Sequence, residues 1–378
     1  MANVENSVTG AVGRRAFLKN GVLAGGAAIG AGLLGGGKPA SSQDRDDSRR
    51  GLTRGDAAIL RFLAAAEIIE TDLWIQYAEL GGLTPGQVPV EVNPNFTPMN
   101  SYQAAFINLD GDGPQYVTSN TLDELSHATF LNAYLESKGE EPVDLTPFAN
   151  LKGSSATGAK DIGRLTNLMN LNVDTSWFVR YRSTTNPDFG ATFSQAVTIT
   201  GRTAIPKTDA DFGPNNPTVT NHIQVIANTA AFHFGTIEQG GSSLYAALSR
   251  KVTSEEVLQI TLGIGGDEVA HFLEWVDFAG NGVQPPIAPV TDSGLTFPNL
   301  FTKGPLFQPN LIFPVPSEFI SPSLPHCAAI RPLTDKFAGA RAVVAFLTEM
   351  NLFDGQPKEF FRLLQGMADE ADAARRES

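Results

Sequence analysis

Apolar residues recur at steps of three and four in four separate stretches of the chain, which predicts four long helices. The first begins near Asp56 and ends at Gly81-Gly82, with Thr53 as its cap. Leu60, Leu63, Trp74 and Tyr77 share one stripe of it with two acids, Glu67 and Glu70, and Ile59, Phe62, Ala66, Ile69 and Leu73 form a second apolar row. So wide an apolar arc predicts a helix buried among others. The second helix spans about Ser119 to Lys138 and stops at Gly139; Glu124, His127, Leu131 and Tyr134 mark its inward face. The third spans roughly Thr220 to Ser249 around Glu238, where Gly235, Gly240, Gly241, Ser242 and Ser243 weaken helix propensity but allow close approach. The fourth opens with Thr253-Ser254-Glu255-Glu256, read as a capping box, and ends near Gly280.

The intervening segments are less regular. Residues 83–117 carry Pro, Gly and Asn and read as a crossing loop with a short helix near Tyr102 to Ile107. Within it Asp110-Gly111-Asp112-Gly113 lacks the later acids of a calcium loop and reads as a turn. Residues 140–218 predict a long irregular excursion, with a short helix from Ile162 to Leu171 and a weak strand from Phe193 to Ile199. Residues 281–330, rich in Pro and Phe, predict an extended strap, followed by helices over Thr334–Met350 and Pro357–Arg376.

The N-terminus changes the picture of where the protein works. Gly13-Arg14-Arg15-Ala16-Phe17-Leu18-Lys19 reads as a twin-arginine export signal, and the Gly/Ala/Leu run that follows, Asn20 to Gly37, is too short and glycine-rich for a good membrane span. Residues 1–42 are therefore read as a signal peptide cleaved near Ala40-Ser41-Ser42, with an uncleaved anchor as the alternative. The mature chain is expected outside the cytoplasm, periplasmic or extracellular, with the twin-arginine export machinery as a partner and no membrane span of its own. Residues 43–280 then form the helical domain, and 281–378 the strap and its helices.

Removing that leader takes away Arg14, Arg15, Lys19 and Lys38 against one acid, Glu5, so a net charge of −13 becomes −16. A chain this acidic is repelled by nucleic acid and by anionic membrane surfaces. Cys327, the only cysteine, excludes an intrachain disulfide and all-cysteine zinc or iron sites.

Two of the five histidines close the same pentapeptide, Asp123-Glu124-Leu125-Ser126-His127 and Asp267-Glu268-Val269-Ala270-His271. Residues three apart share a helix face, so each motif aims a carboxylate and an imidazole at a common point. Two such helices, plus a Glu from each of two more, supply the six side chains of a di-iron or di-manganese carboxylate site. Glu238 is the only acid of the third helix, and either Glu67 or Glu70 completes the set, with Glu67 favoured because Trp74 lies seven residues on. Mixed oxygen and imidazole donors suit two divalent ions of iron or manganese. Asp123 and Asp267, and less directly Trp74 and Tyr77, are candidates for supporting the ligands. His222, His233 and His326 read as ordinary polar or core residues.

At these residues the chain resembles the ferritin-like superfamily, and more closely the exported bacterial ferritin-like-domain proteins related to plant desiccation-related proteins. The resemblance covers about Asp56–Gly82, Thr118–Gly139 and Thr220–Gly280, and its specific part is the paired Asp-Glu-x-x-His motif. It implies an all-α fold: a ferritin-like four-helix bundle with a long irregular insertion between helices two and three and a Pro-rich, partly helical C-terminal extension. It also implies Glu67, Glu124, His127, Glu238, Glu268 and His271 as metal ligands. The excursion and the strap are foreign to compact storage ferritins, and the lone cysteine leaves no rubredoxin-like iron site. The leading expectation is an exported metal-dependent oxidase or peroxide-detoxifying protein, with dioxygen or peroxide as co-reactant; manganese catalase is its nearest enzymatic variant. The competing expectation is a non-enzymatic stress or envelope scaffold, whose stability would survive chelation. A homo-oligomer fits either.

Overall fold

Nineteen of the first long helix's residues have side chains closed off from solvent, so this helix is a core element rather than a surface one. The computed structural model describes residues 51–81, 101–102, 105, 113–175, 197–213, 220–280, 290–297, 316, 318–329 and 339–377. The expected signal peptide, the Asp110–Asp112 turn, the start of the expected strand at Phe193 and most of the strap lie outside those residues, as do all but residues 102 and 105 of the expected short helix near Tyr102. The described chain is predominantly helical, with six α-helices and three short two-stranded ladders. None of its helices is long and apolar enough to cross a membrane.

Helix α1 spans Arg54–Leu80 and is capped by the Thr53 hydroxyl, which accepts from the Asp56 amide at 3.0 Å. Helix α2, Gly113–Ser137, starts earlier than its apolar pattern suggests and ends at Gly139, whose φ of 81° suits glycine. The Glu140 amide closes that end on the Leu135 carbonyl at 3.0 Å, a six-to-one bond of the Schellman kind. Burial along α2 follows the helical period through Val117, Glu124, Leu131 and Leu135, while Leu125 and Phe130 face outward. The excursion then adds β1 (Leu151–Lys152) with β2 (Gly163–Arg164), and β3 (Leu171–Val173) with β4 (Ile199–Arg202), both pairs antiparallel.

Helix α3, Asn221–Ser249, is capped by Thr220 and is buried almost all round, like α1. Helix α4, Glu255–Gly280, buries Val257, Thr261, Ile264, Glu268, Phe272 and Trp275, again at helical spacing. Its predicted capping box forms differently. Ser254 Oγ accepts from the Val257 amide at 3.5 Å, but the Thr253 and Ser254 amides are taken by the two oxygens of buried Asp56 on α1, and Glu256 turns instead to Lys138. Strands β5 (Val290–Asp292) and β6 (Leu295–Phe297) form a hairpin whose turn, Ser293-Gly294, has positive φ at both residues. Helices α5 (Ala340–Glu349) and α6 (Lys358–Ala373) follow; residues 334–338 of the first expected span lie outside the described residues, and α6 ends three residues before Arg376. Asp372 on α6 accepts from the Ala340 and Arg341 amides at the start of α5.

The tightest helix pairings are α1 with α2 and α3 with α4, and α6 packs against α1. One contiguous apolar core runs through all six helices.

The expected helix from Ile162 to Leu171 does not form. Its apolar residues fall three apart, but Gly163 crosses so close to the Ala149 carbonyl that a Cβ there would overlap it. Beyond it, Asp72 on α1 takes both the Thr166 amide (2.9 Å) and the Thr166 hydroxyl (2.6 Å). Gln76 and Glu79 continue the same stripe of α1: Gln76 donates to Thr166 Oγ1 at 2.8 Å, and Glu79 pairs with buried Arg164 at 2.7 Å. These tertiary bonds satisfy polar groups that a helix would otherwise have satisfied internally.

Candidate metal centre

Each of the four long helices contributes carboxylate or imidazole groups to one buried cluster. Glu67 comes from α1, Glu124 and His127 from α2, Glu238 from α3, and Glu268 and His271 from α4. Glu124, Glu238 and Glu268 are fully buried, and Glu67, His127 and His271 nearly so. Two fully buried sets of four side chains have donor atoms all within 4.8 Å of one another, Glu67, Glu124, His127 and Glu268, and Glu124, Glu238, Glu268 and His271, while Asp123, Asp267 and His271 form a third, partly exposed group. The two buried sets share Glu124 and Glu268. All six residues that the family resemblance implied as ligands therefore meet. Glu70, the alternative on α1, lies beside the sets but in neither of them, with Oε2 buried and unpartnered.

The backbone makes room for this. A Cβ at Gly241 of α3 would collide with the Glu268 carboxylate, and one at Gly265 of α4 would stand 2.7 Å from Tyr245 Cβ. The small residues of α3 thus admit a charged group, and not merely a neighbouring helix.

The two aspartates of the repeated motif cross over. Asp267 Oδ2 lies 3.2 Å from His127 Nε2, and Asp123 Oδ2 lies 3.2 Å from His271 Nε2, so each motif's acid orients the other motif's imidazole. With Nε2 held at the outer side, each Nδ1 faces the carboxylates. His127 Nδ1 is 3.4 Å from Glu67 and from Glu124, and His271 Nδ1 is 3.1 Å from Glu124 and 3.4 Å from Glu238. A hydrogen-bonded outer nitrogen and an inward lone pair are what a metal-ligating histidine requires.

Three supporting residues carry no signal of their own in the sequence. Asn120, one turn before Glu124, donates to Glu124 Oε1 at 2.9 Å and to Glu238 Oε1 at 3.1 Å. Trp275 Nε1 donates to Asn120 Oδ1 at 2.8 Å and fixes that amide's orientation. The Tyr245 hydroxyl donates to Glu67. Spacing on α2 and α4 could have placed Asn120 and Trp275 on the ligand face, four residues from Glu124 and His271. Trp74 stacks on Trp275 at 5.4 Å, and the Tyr77 hydroxyl meets buried His233 rather than a carboxylate. His222 bridges Asp211 and Asp292 well away from the cluster, and His326 is exposed.

The electrostatics are those of a site built for cations. Burial, followed by the charges of Glu124, Glu67 and Glu238, pushes Glu70 well above the ordinary carboxylate range. Burial and the neighbouring glutamates do the same to Glu268, and raise Glu124 to about 8. Burial alone would lower the His127 pKa, but its bonds to Asp267, Glu124 and Glu67 outweigh that and raise it to about 12. His271 also moves up, as Glu238, Asp123 and Glu124 overcome its burial. Even so, both Glu268 oxygens have no hydrogen-bond partner among the described residues, and Glu67 Oε2 and Glu238 Oε2 have only an imidazole Nδ1 at 3.4 Å. Carboxylate oxygens buried without donors are costly, and divalent cations are the ligands that would satisfy them together. An open cleft of about 460 Å³ between α2 and α4, walled by Phe130, Tyr134 and Ile260, reaches His127 and Asp267.

No protein-family model, curated protein or solved structure matches this chain.

Proposed function

We propose that the chain is an exported ferritin-like four-helix bundle that holds two iron or manganese ions and uses them as an oxidase or to remove peroxide. The observation that carries this reading is the pair of overlapping buried ligand sets sharing Glu124 and Glu268. Six side chains would hold the pair, Glu67 and His127 from one set, Glu238 and His271 from the other, and Glu124 and Glu268 from both. The resemblance at the two Asp-Glu-x-x-His motifs supports the family assignment, and the twin-arginine leader supports export. The excursion over 140–218 is then the insertion between the second and third bundle helices.

Bound there, a metal pair supplies two-electron chemistry toward dioxygen or peroxide. The chain's own residues do the rest. Asp123 and Asp267 hold the Nε2 side of the imidazoles, which keeps each Nδ1 lone pair inward. Asn120 and Tyr245 hold one oxygen each of Glu124, Glu238 and Glu67, and the second oxygens face the imidazole Nδ1 atoms at 3.4 Å. The buried Trp74–Trp275 stack keeps water from the inner side, and the cleft beside His127 admits small molecules from the outer side. Four ionised carboxylates balance two divalent ions, whereas without metal the same groups repel one another and bind protons.

Turnover tests the reading. Iron-loaded protein is expected to consume dioxygen or hydrogen peroxide as its iron is oxidised. Oxygen evolution from peroxide by manganese-loaded but not iron-loaded protein would move it to the manganese-catalase type. Absence of turnover with both metals would favour the scaffold reading.

A further inference from the structure

On the inner side of the cluster lies a continuous file of oxidisable rings. Trp275 is joined to two of the proposed ligands through a single amide, because its Nε1 donates to Asn120, which donates to Glu124 and Glu238. Trp74 stacks on Trp275 with centroids 5.4 Å apart and planes 21° from parallel. Tyr77 meets Trp74 edge-on at 5.7 Å, and its hydroxyl lies 2.6 Å from Nδ1 of His233. All are buried, and Phe234 packs on Trp74, Tyr77 and Trp275 at 5.0, 4.7 and 4.7 Å, which keeps the file dry.

The proton positions follow from the donors available. His233 Nε2 lies 3.0 Å from Met350 Sδ. A thioether only accepts, so Nε2 carries the ring proton and Nδ1 presents its lone pair to Tyr77. Burial lowers the His233 pKa to about 3, so the ring is neutral and able to take a proton. Trp74 Nε1 has no partner among the described residues, and Trp275 Nε1 gives its single proton to a neutral amide oxygen, too weak a base to remove it, so each indole keeps its proton when it loses an electron. Within this file, Tyr77 is the ring whose proton faces a base, His233 Nδ1 at 2.6 Å.

We propose that Trp275, Trp74, Tyr77 and His233 form a one-electron relay that draws an oxidising equivalent away from the metal ligands and stores it as a tyrosyl radical on Tyr77. The proposal rests on the metal-centre reading for its oxidant, the metal pair once oxidised by a peroxide. Trp275 gives one electron to that oxidant, Trp74 refills Trp275, and Tyr77 refills Trp74. The oxidised phenol is far more acidic than imidazolium, so its proton passes to His233 Nδ1. In sum the oxidant gains one electron, His233 gains one proton, and a neutral radical remains on the Tyr77 oxygen. The relay would spare Glu124, Glu238 and the imidazoles from oxidation, and would supply single electrons to a centre that otherwise works in pairs.

The test is freeze-quenched electron paramagnetic resonance of the iron-loaded full chain after mixing with hydrogen peroxide, with iron content measured on the same samples. The relay predicts a tyrosyl signal that is lost in Tyr77→Phe, replaced there by a tryptophanyl signal, and diminished in His233→Gln. A tyrosyl signal that survives Tyr77→Phe, that vanishes instead in Tyr245→Phe, or that is missing from iron-loaded wild type overturns it. If the protein takes up no iron, the metal reading fails, and the relay is read by flash photolysis of the metal-free chain with persulfate as electron acceptor. There a tryptophanyl signal should convert to tyrosyl in wild type and persist in Tyr77→Phe; no conversion in wild type overturns the relay.

Discussion

Gly241 shows how one missing side chain positions a charged one. A methyl group there would occupy the space of the Glu268 carboxylate, which belongs to both ligand sets. Alanine is the better helix former by about 1 kcal/mol, so Gly241→Ala is expected to leave helix content intact. It should nonetheless lower the metal bound per chain, measured by elemental analysis beside circular dichroism; undiminished metal in a well-folded variant would count against Glu268 as a ligand. The glutamates and histidines of the buried cluster were legible in the sequence because helical spacing is local, and a Glu and a His three apart declare a shared face. The crossing of Asp123 to His271 and of Asp267 to His127 was not, since the partners lie 148 and 140 residues apart. Tyr245 and its bond to Glu67, 178 residues away, were hidden for the same reason.

At the scale of elements, the long helices follow from their apolar period and their caps, whereas the joints between them depend on single polar residues. Asp56 belongs to the first turn of α1 yet takes the two amides that precede α4, at 2.8 and 3.0 Å. Asp56→Ala leaves two part-buried donors unpaired and is expected to cost about 1–3 kcal/mol, measured by urea denaturation. A change below about 0.5 kcal/mol, the size of an ordinary surface substitution, would refute that joint. His222 is a second joint, tying the start of α3 to Asp292 of β5 and to Asp211 in the 3₁₀ turn Asp209–Phe212. Partial burial opposes its charge, but the two aspartates outweigh it and raise its pKa. A pKa raised on folding adds stability that is complete below the unfolded value of about 6.5 and disappears as pH climbs through the folded value. The stability of wild type over His222→Gln should therefore shrink as pH rises above about 6.5; a constant difference would show that the charge does not contribute. The excursion was the least legible element. Its three-residue apolar spacing mimics a helix, while its path is set by Asp72, Gln76 and Glu79, all on a distant helix.

At the scale of the whole molecule, two heavily buried helices, α1 and α3, and two one-sided ones, α2 and α4, enclose four buried glutamates beside two imidazoles, groups that without metal repel one another and take up protons. The proposed metal pair would turn that repulsion into a link between all four helices, since each supplies at least one donor to the two sets. The claim that these side chains hold a metal pair is tested most directly by elemental analysis of the folded full-length protein, wild type beside Glu124→Ala/His127→Ala. The account predicts two iron or manganese ions per wild-type chain and their loss in the double variant. A metal content unchanged by removing both side chains would contradict it.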